Sequence, residues 1–202
     1  MKKLSTKQLV TLGLLASIVL IMSTTPLGTL PIGPLSITLN MIPIAIAAIA
    51  VGPVGGCIIG AVFGMFSFLQ AIGIGVPSGL GMLTFSISPF LTFVQRVVSR
   101  ALTGYLIGLI YKAVKKISNS VVGFFVAGCC AAILNFVFFM GLLVLCFGSN
   151  ADIANMWAGK TVMAYLVATF MSNTIFEIIV TTILTGLVCL GLYKAKLLNS
   201  QQ

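Results

Sequence analysis

Charge is almost absent from six long stretches of this chain, residues 8–25, 37–52, 54–73, 89–112, 120–147 and 161–193, within which only Arg96, Arg100, Lys112 and Glu177 are charged. Each stretch is near or beyond the roughly 20 apolar residues that cross a bilayer as a helix. A soluble domain needs a charged surface, and a chain that is 59% hydrophobic and 6% charged, with mean hydropathy +1.22, cannot supply one. The runs also lack the two-residue alternation of lipid-facing barrel strands. The expected fold is an all-α integral membrane protein, one domain over residues 1–202 built as a six-transmembrane-helix bundle. The basic head and apolar core at the N-terminus have the outline of a secretory signal. No A-x-A-like site follows and five more spans do, so an uncleaved first helix is expected.

A net charge of +9 would suggest nucleic acid for a soluble protein, but its placement speaks of topology instead. Lys2, Lys3 and Lys7 lie at the N-terminus, Lys112, Lys115 and Lys116 between the fourth and fifth stretches, and Lys194 and Lys196 at the C-terminus. Six spans place these three sites on one side, and the positive-inside rule makes it the cytoplasm. Cys57, Cys129, Cys130, Cys146 and Cys189 form no C-x-x-C and histidine is absent, so no metal site or cofactor is implied and the cysteines read as small packing residues.

Gly52-Pro53 separates the second and third stretches with almost no loop, and Gly52, Gly56, Gly60 and Gly64 form a ladder that lets helix backbones approach closely. Gly13 and Ser17 are a similar small pair in the first stretch. Three connections are expected outside the spans: the Pro- and Gly-rich residues 24–36 as an ordered non-helical loop, the Gly-rich residues 73–88, and residues 148–160 with Asp152 and an interfacial Trp157. Ala154, Gly159, Lys160 and Thr161 imitate a phosphate-binding loop, without the α/β context or the acidic magnesium partners such a loop requires. No histidine, paired carboxylate or G-x-S-x-G offers a catalytic centre, so no catalytic residue and no enzyme is expected.

What remains is polar chemistry inside the spans. An arginine at mid-helix costs roughly 2.5 to 3.5 kcal/mol on insertion scales, so Arg96 and Arg100 should face the bundle interior. Counting at about 1.5 Å per residue from the basic side places Arg100 and Asn40 about 18 Å deep, Gln70 and Asn135 about 22 to 23 Å, and Arg96 and Glu177 about 24 to 25 Å. Against a hydrocarbon core of roughly 30 Å, these six form a layer in the outer half. Arg96, Arg100, Gly104 and Gly108 share one helix face, as do Asn173, Glu177, Thr181 and Thr185. Two readings follow. The layer is either an Arg-Glu pair that fixes packing in a structural membrane protein, or a pocket whose surplus positive charge takes a small anion with hydrogen-bonding groups. A solitary ion-coupled carrier fits less well, with one intramembrane acid and no evident repeat between halves.

The run ITLNMIPIAIAAIAVGPVGGCIIGAVFGMFSFLQ (37–70), the later SPFLTFVQRVVSRALTGYLIG (88–108) and Asn135 resemble the substrate-binding S components of energy-coupling factor (ECF) vitamin transporters, over nearly the whole chain. The resemblance implies a small membrane protein that binds one vitamin at its extracellular side. It also implies partners, a transmembrane scaffold subunit and two cytosolic ATPase subunits, with which the substrate is passed inward. In the family, small residues on the first helix contact the scaffold; the matching face here is Gly13, Ala16 and Ser17, in place of alanines spaced by four. The sequence is most similar to the pantothenate-type S components, and the surplus positive charge suits that anionic vitamin. Folate, riboflavin, pyridoxine or a thiamin precursor are the alternative substrates. The substrate-binding residues expected are Asn40, Gln70, Gln95, Arg96, Arg100, Asn135, Asn173 and Glu177.

Overall fold

The computed structural model describes residues 4–25, 28–32, 35–76, 78–150, 152–153 and 161–198. Helix α1 (Thr6–Thr24) leads into an antiparallel hairpin of β1 (Thr29–Ile32) and β2 (Leu35–Thr38), followed by α2 (Met41–Ala50), α3 (Pro53–Ala71) and α4 (Gly79–Ile87). Next come α5 (Pro89–Phe93), a π turn π1 (Val94–Val98) and α6 (Ser99–Ile117), which together make one apolar helix over Pro89–Ile117. The remaining elements are α7 (Ser120–Phe147), α8 (Val162–Thr169), a second π turn π2 (Phe170–Thr174) and α9 (Ile175–Lys194).

Five helices among the described residues are long and apolar enough to cross a membrane: Thr6–Thr24, Pro53–Ala71, Pro89–Ile117, Ser120–Phe147 and Ile175–Lys194. The expected second span, 37–52, differs. Its first residues are taken by β2, whose Thr38 pairs with Thr29, and the Leu39 N–H extends the ladder to the Gly28 carbonyl at 3.1 Å. Helix α2 therefore starts only at Met41, and its ten residues reach about 15 Å, half of the roughly 30 Å hydrocarbon core. The fold is otherwise helical, and the described part of residues 24–36 adds a short hairpin to it. Non-helical backbone at such depth is tolerated where protein surrounds it. Every residue of α2 except Ile42 is buried, and α1, α3, α6, α7 and α9 all pack on it.

Residues 73–88 also depart from expectation, since α4 occupies Gly79–Ile87. The Ser78 hydroxyl caps it by accepting from the Gly81 N–H at 3.2 Å. Trp157 and the look-alike residues Ala154, Gly159 and Lys160 lie outside the described residues. Thr161 caps α8, its hydroxyl accepting from the Ala164 N–H at 3.3 Å.

The glycine ladder closes α3 onto α6. A Cβ added at Gly56 would stand 2.2 Å from the Gly104 carbonyl oxygen, and one at Gly60 would stand 2.2 Å from that of Arg100. Gly52, at φ +98°, turns α2 into α3 beside the Lys112 side chain, with Pro53 opening α3. At that same end Tyr111 stacks on Phe124 with ring centroids 5.9 Å apart, and Phe124 meets Tyr193 edge to face at 5.8 Å. Gly56→Val should destabilise the purified protein by about 1 to 3 kcal/mol through overpacking. Gly191→Ala, which meets nothing within 4 Å inside a helix, should not lower its thermal unfolding midpoint in the same detergent.

Candidate binding site

All eight polar residues expected at the site are buried, with Arg96 3% and Arg100 5% exposed. Small residues and π turns bring them inward. Gln95 and Arg96 lie in π1, one turn before Arg100 in α6, while Asn173 lies in π2, one turn before Glu177 in α9. A π turn widens the helix and redirects side chains, and such turns are common at functional sites.

Three bonded groups result. Asn40 Nδ2 donates to Ser23 Oγ (3.3 Å) and the Gly28 carbonyl (3.4 Å), and Gln70 Nε2 donates to the Ser23 carbonyl (2.8 Å), so the end of α1 joins α2 and α3. Arg96 Nη1 donates to the Ser67 hydroxyl (2.7 Å) and carbonyl (3.1 Å), and Arg100 Nη1 donates to the Arg96 carbonyl (3.0 Å). Gln95 Nε2 donates to the Phe139 carbonyl (3.3 Å), and the Phe139 ring faces both guanidiniums. Finally, the Thr181 hydroxyl donates to the Glu177 carbonyl (2.7 Å) and to the Gly128 carbonyl (3.0 Å), joining α9 to α7, and the Glu177 carboxylate attracts Arg100 electrostatically. Asn135 lies one turn before Phe139 on the same face of α7. No hydrogen bond among the described residues links Asn40 and Gln70 to the arginines, or Glu177 to either arginine.

Most of these side chains keep bonding capacity in reserve. Asn40 Oδ1, Gln95 Oε1, Arg96 Nε, Arg100 Nε, Asn135 Oδ1 and Glu177 Oε1 are buried without a protein partner, and among the described residues only two other side-chain atoms, the hydroxyls of Thr182 and Thr185, are in that state. Buried polar groups are ordinarily paired, and leaving one unpaired costs about 1 to 3 kcal/mol. The six atoms include both donors and acceptors, and they belong to side chains that set two arginines against one carboxylate.

Ser23, Ser67, Ser78, Phe63 and Phe139 take part as well and were not expected. Ser67 continues the α3 face of Gly60 and Gly64 at helical spacing, which was a usable signal. The ring pairings of Phe63 and Phe139 follow from helix rotation and had none. On α1, Gly13 and Ser17 are exposed, and Ala16 is half-buried against the core. Nothing lies within 4 Å of a Cβ at Gly13.

The long apolar helices, with their polar side chains buried, define a multi-pass membrane protein. A family profile described as "ECF transporter, substrate-specific component" matches residues 7–189. The chain belongs to that family of transport components. It is 30% identical over 192 residues to the "Pantothenate transporter PanT" of Leuconostoc mesenteroides subsp. mesenteroides, covering 90% of this chain and 89% of the relative. It is 28% identical over 173 residues to the "Pantothenic acid transporter PanT" of Lactococcus lactis subsp. cremoris, covering 81% of each. Ser67→Ala should lower the unfolding free energy by about 1.5 to 3 kcal/mol, the worth of a hydrogen bond to a charged group, as read by denaturation in detergent.

Proposed function

We propose that this chain is the high-affinity pantothenate-binding subunit of an ECF-type importer. The observation that carries this reading is the buried layer of unpartnered atoms around two arginines and one acid. Pantothenate has one carboxylate, two hydroxyls and an amide, and no ring to stack. The arginine surplus suits the carboxylate, while the amides of Asn40, Gln70, Gln95, Asn135 and Asn173 and the Glu177 carboxylate suit the hydroxyls and the amide. The names of the two relatives point to the same vitamin.

In this reading the substrate moves inward through assembly with a transmembrane scaffold subunit and two cytosolic ATPase subunits, and Gly13, Ala16 and Ser17 meet the scaffold. Both termini lie in the cytoplasm, and α2 with its hairpin completes a sixth crossing. The lysines flanking α1, α6 and α9 support that orientation.

A thermal-shift screen of the B vitamins on the purified protein should show stabilisation by pantothenate alone, and no response to pantothenate would overturn the assignment. Arg96→Ala and Arg100→Ala should each weaken its binding about tenfold or more in calorimetry; unchanged affinity in both would remove the anion pocket. Separately, Gly13→Leu with Ser17→Leu should abolish co-purification of scaffold and ATPases while vitamin affinity stays within about twofold, since both positions face outward.

A further inference from the structure

We propose that the two arginines have different tasks: Arg100 takes the carboxylate of the ligand, and Arg96 is a positioning residue that fastens the arginine-bearing helix to α3 and α4. This rests on the anion-binding reading above and assigns its central contact.

The two guanidiniums differ in what holds them. Arg96 is bonded on two sides, through Nη1 to the Ser67 hydroxyl and carbonyl on α3, and through Nη2 to the Ser78 hydroxyl at the start of α4 at 3.5 Å. A Cβ at Gly81 would stand 2.7 Å from that Nη2, so α4 closes over this end of the fork. Nε is unpartnered in both, but beyond it Arg100 has one protein hydrogen bond among the described residues, from Nη1 to the Arg96 carbonyl. Its guanidinium carbon is instead 4.6 Å from the Phe63 ring centroid and 4.8 Å from that of Phe139. Aromatic rings attract a cation through their quadrupole but offer no lone pair to its N–H groups. Of the five N–H donors of a guanidinium, Arg100 has one committed to a protein acceptor, and a fork left free in this way matches a carboxylate with two parallel bonds. Glu177 does not occupy that fork: among the described residues no hydrogen bond or ion pair joins it to Arg100, and its Oε1 is unpartnered. Since Arg100 hangs from the Arg96 carbonyl, anchoring Arg96 to Ser67 also sets where Arg100 sits.

Calorimetry on the purified full-length protein with pantothenate and with pantothenol, its uncharged analogue bearing CH2OH in place of the carboxylate, separates the two tasks. The wild type should prefer pantothenate by about tenfold or more, the worth of one charge-assisted contact. Arg100→Gln should abolish that preference while changing pantothenol affinity little. Arg96→Gln should weaken both ligands by a similar factor and keep the preference, and Ser67→Ala should do the same more mildly, which serves if Arg96→Gln does not fold. A preference that survives Arg100→Gln, or one lost in Arg96→Gln and kept in Arg100→Gln, overturns the division. A wild type that binds both ligands equally overturns it too and leaves the vitamin assignment standing. A wild type that binds neither overturns the vitamin assignment itself.

Discussion

Backbone meets backbone where α3 crosses α6, at Gly56 against Gly104, Gly60 against the Arg100 carbonyl, and Gly64 against Arg96 and Val97. In lipid no hydrophobic force draws helices together, so contact of this kind, with its dispersion gain, is a main source of cohesion. The seam also fixes the site, because its two rows of residues are the site's own neighbours. Phe63 and Ser67 lie on α3 within a turn of Gly60 and Gly64, and they meet the side chains of the arginines whose carbonyls face those glycines. A shift of one helix along the other would break the seam and the arginine contacts together.

Two arginines at this depth are tolerable because different parts of the protein solvate each one. Arg96 replaces water with the Ser67 and Ser78 oxygens, and Arg100 replaces it with two ring faces and the more distant charge of Glu177. Such solvation is partial for Arg100. This part of the bundle thus combines close backbone packing with an incompletely compensated cation, as the proposed anion site requires.

Much of this was legible from residue order. Hydropathy marked six stretches, five of which are helices long and apolar enough to cross a membrane, and the eight polar residues expected at the site are all buried. Local competition between structures was harder to read. Ile37 and Thr38 are apolar enough to open the expected helix 37–52, yet β-branched residues around Gly33-Pro34 also make a hairpin signal, and the hairpin prevailed. Gly79 and Gly81 spoke against a helix on propensity, and the Ser78 cap with apolar packing outweighed them. The π turns and the ring contacts of Phe63 and Phe139 depend on how helices rotate against one another, which no local pattern encodes.

Helix α2 has an implication for biogenesis. Ten apolar residues are too few to settle across a bilayer unaided, and α2 leaves Gly52 to enter the 19-residue α3 at once. Of the two, only α3 is long and apolar enough to cross a membrane by itself. The seat of α2 exists only after α6, α7 and α9, all later in synthesis, have closed around it. Until then the surface of α2 that those helices cover lacks its partners, so its final packing waits on the last helix of the chain.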